Sequence, residues 1–211
     1  MDSQESDIKR KDKTMLNESY SEPFLPNIID YSKDDWKIEI ENDSDSDNPR
    51  NWSNLGEFCV SNHSRYIRNE SGIGIESESD FKALEKTHII LPVSVYDHSG
   101  VSIYIGSPCD RWDSGQIGWY IASKEEIKRQ FKVKRISPKL RERVISYLEN
   151  EVETFNKWVN NEVYKFTLYH NGEEEDSCGG FYNIDDIYEY LPSEYRDSFS
   201  VEEMKQHIVE V

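Results

Sequence analysis

Apolar and acidic side chains alternate over residues 36–41, which is the period-two pattern of a half-buried β-strand. Further short apolar stretches along the chain are also strand candidates. Turn-forming residues bound most of these stretches. Asp97-His98-Ser99-Gly100 separates two of them and predicts a β-hairpin. The predicted strands are 36–41, 55–60, 88–96, 101–105, 116–121 and 162–170.

A second set of apolar positions recurs at helical spacing and predicts one long helix. It begins at Ser137-Pro138, where proline suits the first helical position, and reaches about residues 159–161. Its apolar face carries Leu140, Val144, Leu148, Val152, Phe155 and Val159. Ser123 and Glu126 match a capping box, which predicts a shorter helix from there to about Phe131. Segments 80–86 and 184–191 are further short-helix candidates, and 173–183 is predicted to be a loop.

Neighbouring groups of strands with only two sizeable helices favour an α+β fold over a doubly wound one. We predict a mainly antiparallel sheet packed with one long helix and one or more short helices. The predicted organisation is a flexible acidic and polar tail over 1–34, a single α+β domain over 35–192, and a C-terminal extension with helical character over 193–211.

Charge narrows the range of partners. The chain has 211 residues, with 25 Lys and Arg against 42 Asp and Glu, a formal charge of -17. Such a charge opposes attraction to nucleic acid or to an anionic membrane. It favours a protein partner with a basic surface, including a nucleic-acid-binding protein. Without an apolar leader or a long apolar run, we expect a cytoplasmic protein without membrane contact.

One basic island interrupts this acidic background. Residues 124–143 hold nine basic and three acidic side chains, a local charge of +6. Two predicted helices flank a short connection there, which is compatible with a helix-turn-helix. The connection, however, is charged and lacks glycine. The alternative is that the basic island pairs with acidic neighbours in the fold or in an oligomer. Nucleic acid is therefore the less expected partner. The basic patch proper is Lys128, Arg129, Lys132, Lys134 and Arg135.

Three polar segments, 97–100, 109–118 and 176–182, concentrate the side chains that carry chemistry. Loops held on a rigid scaffold are where binding groups usually lie. We therefore expect these segments to form one binding face. Its predicted residues are Asp97, His98, Ser99, Trp112, Asp113, Ser114, Gln116, Asp176, Phe181 and Tyr182.

The same segments allow two enzymatic alternatives. Cys109 or Cys178 could act as a nucleophile with His98 as its base, and Asp97, Asp113 or Asp176 could orient that base. The three cysteines, which include Cys59, form no CxxC pair and are expected to be reduced thiols. A Mg²⁺ or Mn²⁺ enzyme would draw on Asp97, His98, Asp110, Asp113, Glu151, Glu153 and Asp176, although no spacing among them is diagnostic. We expect no metal and no cofactor.

A series of short motifs follows in order along the chain. They are NPRNWSNLG at 48–56, YDHSG at 96–100, WDSGQIG at 112–118, EVET at 151–154, EVY at 162–164, DSC at 176–178 and FY at 181–182. This series resembles a family of uncharacterised proteins from bacteriophages, plasmids and other mobile elements. The chain departs from that family at Cys109-Asp110-Arg111-Trp112, where the family has Cys-Pro-Trp, and at Gly179, where it has tryptophan.

The resemblance implies no particular activity. It implies a mobile-element setting, in which small acidic proteins bind host or viral proteins and in some cases block defence systems. The leading expectation is therefore an accessory protein that acts by binding another macromolecule. A cysteine- or metal-dependent hydrolase or nuclease is the alternative.

Overall fold

The computed structural model describes residues 28–60, 65–98, 100–196, 202 and 208–209. These residues form an α+β structure with two antiparallel sheets, as the sequence predicts. They fall into two compact units, whereas the sequence analysis treats 35–192 as one domain. The first unit contains Pro49–Asn156, and the second combines the described parts of Ser21–Asn48 and Lys157–Val211.

The first unit is built on a four-stranded antiparallel sheet. Its strands are β3 (Glu57–Val60), β4 (His88–Asp97), β5 (Val101–Ile105) and β6 (Ser114–Ser123). Their spatial order is β3-β6-β4-β5. The predicted hairpin between β4 and β5 is confirmed, with Asp97 paired to Val101. The central strand β6 therefore joins β3 to β4.

Helices cover both faces of this sheet. They are α1 (Glu78–Thr87), α2 (Lys124–Gln130) and α3 (Pro138–Val159). The predicted long helix is confirmed as α3, and the ring centroids of Phe155 on α3 and Phe58 on β3 lie 5.5 Å apart. On the opposite face, Leu84 of α1 joins a buried cluster with Cys59 and Ile121. The sheet therefore lies between two helices, which is why its strands are apolar on both sides.

The capping box occurs at a different helix from the predicted one. Ser123 does precede α2, but its side chain makes no capping hydrogen bond. Glu126 instead accepts hydrogen bonds from Arg129 and Gln130. A complete capping box is present at α1, where Ser77 bonds the backbone of Asp80 and the Asp80 carboxylate bonds back. Competition from a nearby guanidinium overrides the local motif at Ser123.

The second unit is built on a five-stranded antiparallel sheet. Its strands are β1 (Ile28–Lys33), β2 (Trp36–Asn42), β7 (Tyr164–His170), β8 (Glu173–Phe181) and β9 (Ile208–Val209). Their order is β8-β7-β2-β1-β9. Two short helices, α4 (Ile184–Tyr190) and α5 (Ser193–Arg196), complete the unit. The buried core consists of Ile29, Tyr31, Ile38, Ile40, Phe166, Leu168, Ile187, Leu191 and Tyr195.

Two segments of the second unit differ from the sequence expectation. Strand β1 lies within the predicted tail 1–34, where Asp34 adopts a left-handed φ of 54° in the tight turn to β2. Residues 1–27 of that tail lie outside the described residues. Strand β8 replaces the predicted loop 173–183, because its backbone pairs with β7 despite its acidic sequence. In the predicted C-terminal extension, Ser193–Arg196 is helical but Ile208–Val209 pairs with β1.

Candidate functional site

Two of the predicted polar loops meet at one end of the first sheet. Strand β4 ends at Asp97 and β6 begins at Ser114. The Asp97 N–H donates to the Asp113 carbonyl over 2.7 Å, which ties the two loops together. Ser99, also predicted for this site, lies outside the described residues. The antiparallel pairing of β4 with β6 thus brings Asp97, His98 and Asp113 into one neighbourhood.

The Asp97 carboxylate is held by two residues that the sequence analysis did not identify. Its Oδ2 accepts hydrogen bonds from the Tyr66 hydroxyl at 2.7 Å and from Arg65 Nη2 at 2.6 Å. Burial, reinforced by the neighbouring Asp97 carboxylate, raises the pKa of Tyr66. Tyr66 therefore stays a neutral hydrogen-bond donor at physiological pH. No motif marks Arg65-Tyr66, which lies 31 residues before its partner.

His98 faces the other carboxylate of this neighbourhood. Its Nδ1 lies 3.4 Å from Asp113 Oδ2, and the two side chains are 65% and 38% exposed. An exposed pair of this kind contributes little to stability, since water screens it. The contact does place an imidazole and a carboxylate side by side on the surface.

The segment 106–113, here called the Trp112 loop, is fixed by Asp110. The carboxylate of Asp110 accepts hydrogen bonds from the backbone N–H groups of Asp113, at 2.9 Å, and of Trp112. These bonds hold the pKa of Asp110 below its ordinary value. The Ser114 hydroxyl closes the loop by donating to the Asp110 carbonyl and accepting from its N–H. Aspartate commonly stabilises turns by bonding its own backbone two residues on.

Trp112 projects from this ordered loop into solvent. It is 86% exposed, the highest value among the exposed large hydrophobic residues that the structure describes. The guanidinium of Arg111 lies 5.8 Å from the centre of its ring. Gln116 is also exposed, and its side-chain amide donates to the Gly118 carbonyl of its own strand at 3.1 Å. Trp112 is therefore the largest apolar group that this end of the sheet presents.

In the described part of the first unit, Cys109 and His98 do not form the predicted nucleophile–base pair. Cys109 is exposed, and its N–H donates to the Tyr104 hydroxyl at 3.0 Å. His98 contacts Asp113, and no hydrogen bond joins it to Cys109 among the described residues. Burial raises the pKa of Cys59, which stabilises its thiol form. Among the described residues, Cys109 therefore has no hydrogen bond to the expected base. The alternative with Cys178, which belongs to the second unit, stays a prediction.

The acidic residues also do not assemble into a ligand set. Among the described residues, no group of three or more His, Cys, Asp or Glu side chains is placed to hold a metal ion. Glu151, one of the candidates, has a different role. Its carboxylate accepts hydrogen bonds from the N–H groups of Leu55 and Gly56 and from the Tyr120 hydroxyl.

Glu151 belongs to a polar network inside the first unit that the sequence analysis missed. Arg50 donates to the Tyr120 hydroxyl at 2.7 Å, to the Gly56 carbonyl at 2.9 Å and to both oxygens of Glu70. Tyr120 is fully buried, and burial raises its pKa strongly. The network fixes segment 49–57 against α3 and thereby shapes the surface around Leu55. Residues so distant in sequence give no local signal.

The third predicted segment belongs to the second unit. Asp176 and Cys178 lie on β8, and Phe181 ends that strand with its ring 5.8 Å from that of Phe166. Phe181 therefore packs against the core. Burial, with Asp43 and Asp47 nearby, raises the pKa of Tyr182 to about 12. The expectation that 176–182 shares a face with the loops of the first unit stays a prediction.

Gly179 lies close to the side chain of Asp43. A Cβ at this position would lie 2.6 Å from Asp43 Oδ2 and 3.3 Å from Lys165 Cβ. Asp43 Oδ2 also accepts the Gly180 N–H at 2.9 Å. The Asp43 side chain thus fills the space that a larger side chain at position 179 needs.

The basic patch lies on α2 and on the connection to α3. Arg129 on α2 is paired with Glu126 over 2.7 Å, whereas Lys132, Lys134 and Arg135 are exposed in the connection. Lys128 on α2 is half-buried. Lys124, at the start of the island, donates to the carbonyls of Glu85 and Lys86 and so caps the C-terminus of α1. Lys124 and Arg129 of the basic island therefore make contacts within the first unit. These contacts agree with the alternative that the island pairs within the protein.

Comparisons with protein-family models, with curated proteins and with solved structures give no match for this chain. Within the described residues, no helix combines the length and the apolar character that crossing a membrane requires.

Proposed function

We propose that this protein acts by binding another protein, with Trp112 as the central contact of its binding surface. The observation that supports this most directly is the 86% exposure of the indole on a loop held by hydrogen bonds. Tryptophan and arginine are enriched among the residues that dominate binding energy at interfaces. Arg111 and Trp112 supply both residue types next to each other.

The order of the Trp112 loop matters for binding. Association has an entropic cost when a loop must become ordered, and a loop already held in place avoids much of that cost. Asp110 and Ser114 hold the backbone on both sides of Trp112. The backbone that carries the indole is therefore ordered before a partner arrives.

Charge favours a partner with a basic surface. The chain carries a formal charge of -17, and Asp97 and Asp113 lie at the same end of the sheet as Trp112. A strongly acidic protein attracts basic partners over distance and repels nucleic acid and anionic lipids. The mobile-element resemblance makes a host or rival protein, such as a nucleic-acid-binding defence protein, the partner we expect.

The test is affinity capture from a bacterial lysate with the full-length tagged protein and two tryptophan variants. Trp112→Ala removes the proposed contact. Trp52→Ala is the matched control, because Trp52 is also an exposed tryptophan of the first unit, at 51%, but lies in another loop. Each capture is run with and without nuclease and is analysed by mass spectrometry.

We expect one stoichiometric protein that the wild type and Trp52→Ala retain and that Trp112→Ala loses at least tenfold, which corresponds to about 1.4 kcal/mol or more. The capture should survive nuclease. Equal retention by both variants would refute Trp112 as the central contact. Loss of the partner on nuclease treatment would move the function to nucleic-acid binding.

A further inference from the structure

A cleft in the first unit lies apart from the Trp112 loop and has no role in the proposed binding surface. Its volume is about 690 Å³, within the range of ligand sites in proteins. Segment 54–57 and the end of β6 form part of its lining, and α2 contributes another part. His88, the first residue of β4, also lines it.

The charged groups of the cleft are mostly acidic. Glu57 comes from β3, and Glu125 and Glu126 come from α2. The guanidinium of Arg129 is already engaged by Glu126 over 2.7 Å. Glu57 and Glu125 have no ion pair among the described residues. The cleft therefore offers two unneutralised carboxylates that belong to different elements.

Apolar groups also belong to this lining. Leu55 and Ile121 line the same cleft as the carboxylates. Leu55 is half-buried, whereas Ile121 is almost fully buried, so the accessible apolar surface comes from Leu55. The position of Leu55 is fixed, since its N–H donates to Glu151 over 2.6 Å. At about 30 Å³ for each water molecule, the cleft holds roughly 20 waters, which is room for a small organic molecule.

We propose that this cleft binds an alkylammonium ligand, a flexible aliphatic chain that ends in ammonium groups. The ammonium groups would contact the carboxylates of Glu57 and Glu125, and the methylene chain would lie against Leu55. Two kinds of molecule carry an aliphatic chain that ends in an ammonium group. One is a free polyamine, and the other is a protein with an accessible lysine side chain. The proposal stands independently of the binding role of Trp112.

The test is isothermal titration calorimetry of the full chain at about 150 mM salt, where long-range attraction between exposed charges is largely screened. Spermidine represents the free polyamine, and Nα-acetyl-lysine methylamide represents the protein lysine. The site variant is Glu57→Gln with Glu125→Gln. The control variant is Glu142→Gln with Glu149→Gln, two exposed residues of α3 outside the lining of the cleft.

Both double variants change the net charge equally, so any difference between them reports the site. We expect saturable binding of one ligand by the wild type and by the control variant, weakened at least tenfold in the site variant. Binding of spermidine alone or of the lysine derivative alone supports the site and identifies its source. Equal weakening in both double variants, unchanged affinity in the site variant, or no saturable binding of either compound overturns the proposal.

Discussion

At the residue scale, two glycines of the same strand have opposite roles. A Cβ on Gly118 would lie 2.6 Å from the Cys59 carbonyl oxygen and 2.7 Å from Val60 Cα. Both are backbone atoms of the neighbouring strand β3, so they cannot move aside without breaking the pairing. Around Gly115, no heavy atom of a described residue other than its chain neighbours lies within 4 Å of the same position. Glycine is therefore required at Gly118 by close approach and not at Gly115.

We predict that Gly118→Ala destabilises the protein by about 1–3 kcal/mol, the usual range for forcing atoms into a packed site. Gly115→Ala should change stability by less than about 0.5 kcal/mol. Thermal unfolding followed by circular dichroism compares the two variants. Similar melting temperatures for both would show that β3 and β6 are not as close as described.

A second residue-scale prediction concerns the hydroxyl of Tyr120. It accepts a hydrogen bond from Arg50 and donates one to Glu151 while the side chain is fully buried. Tyr120→Phe leaves both partners short of a hydrogen bond away from water, which should destabilise the protein by about 1–3 kcal/mol. For a chain of this size, that lowers the melting temperature by about 2–4 °C per kcal/mol.

The control is Tyr147→Phe, because the Tyr147 hydroxyl contacts Arg143 on the exposed side of α3. That substitution should shift the melting temperature by no more than about 1–2 °C, as most surface changes do. If Tyr120→Phe is as mild as Tyr147→Phe, the buried network contributes no net stability.

At the element scale, three serines directly precede helices. Ser77 and Ser137 each accept an N–H of the first turn of their helix, whereas Ser123 does not. Ser77 Oγ accepts the Asp80 N–H, and the Asp80 carboxylate accepts the Ser77 N–H over 2.9 Å. Ser123 makes no such bond, and it lies at the end of β6 paired with His88. A serine before a helix therefore predicts where the helix begins more reliably than it predicts a capping bond.

We predict that Ser77→Ala costs about 1 kcal/mol of stability, the usual effect of losing a cap. Ser123→Ala should have an effect of less than about 0.5 kcal/mol. Hydrogen exchange localises the effect, since faster exchange should be confined to the first turns of α1. Comparable losses in the two variants would contradict the assignment of the cap.

The edge strand β8 illustrates why acidic sequence is a poor guide to loops. Its residues from Glu173 to Asp176 are all acidic, and its pairing with β7 is interrupted twice by register shifts. Charges and bulges are common on edge strands because they prevent pairing with other chains. The run of acidic residues that suggests a loop in the sequence is thus typical of an edge strand that is protected from pairing with other chains.

At the scale of the whole molecule, the described charges are distributed unequally between the two units. In the first unit, residues 49–60, 65–98 and 100–156 hold 15 acidic and 15 basic side chains. In the second unit, residues 28–48 and 157–196 hold 17 acidic and 5 basic side chains, a formal charge of -12. Self-repulsion within a strongly charged unit opposes its compact state.

This distribution predicts that salt stabilises the second unit more than the first. Raising the salt from about 10 mM to about 150 mM shortens the range of charge interactions from about 30 Å to about 8 Å. Protection of backbone amides from hydrogen exchange should therefore increase more in β2 and β7 than in β4 and β6. An equal increase in both sheets would mean that the acidic groups of the second unit do not repel one another appreciably.

The sequence by itself determined the features that depend on local periodicity. The spacing of Val144, Leu148 and Val152 predicted α3, because one helix face must be apolar to be buried. Alternation predicted β2, and turn residues predicted the hairpin at 97–100 and the end of β7. Those elements, the α+β class and the polar ends of β4 and β6 follow from patterns a few residues long.

Only the tertiary structure decided which residues meet. The pairing of β4 with β6 brings Asp97 to Asp113, and Arg65 and Tyr66 reach Asp97 across 32 and 31 residues of sequence. Glu151, considered as a metal ligand from its sequence alone, is instead a partner for backbone N–H groups. Such contacts depend on chain topology, which leaves no periodic trace because the partners come from unrelated segments. The exposed position of Trp112 is of this kind, since the sequence predicts a loop but not which side chain the loop leaves in water.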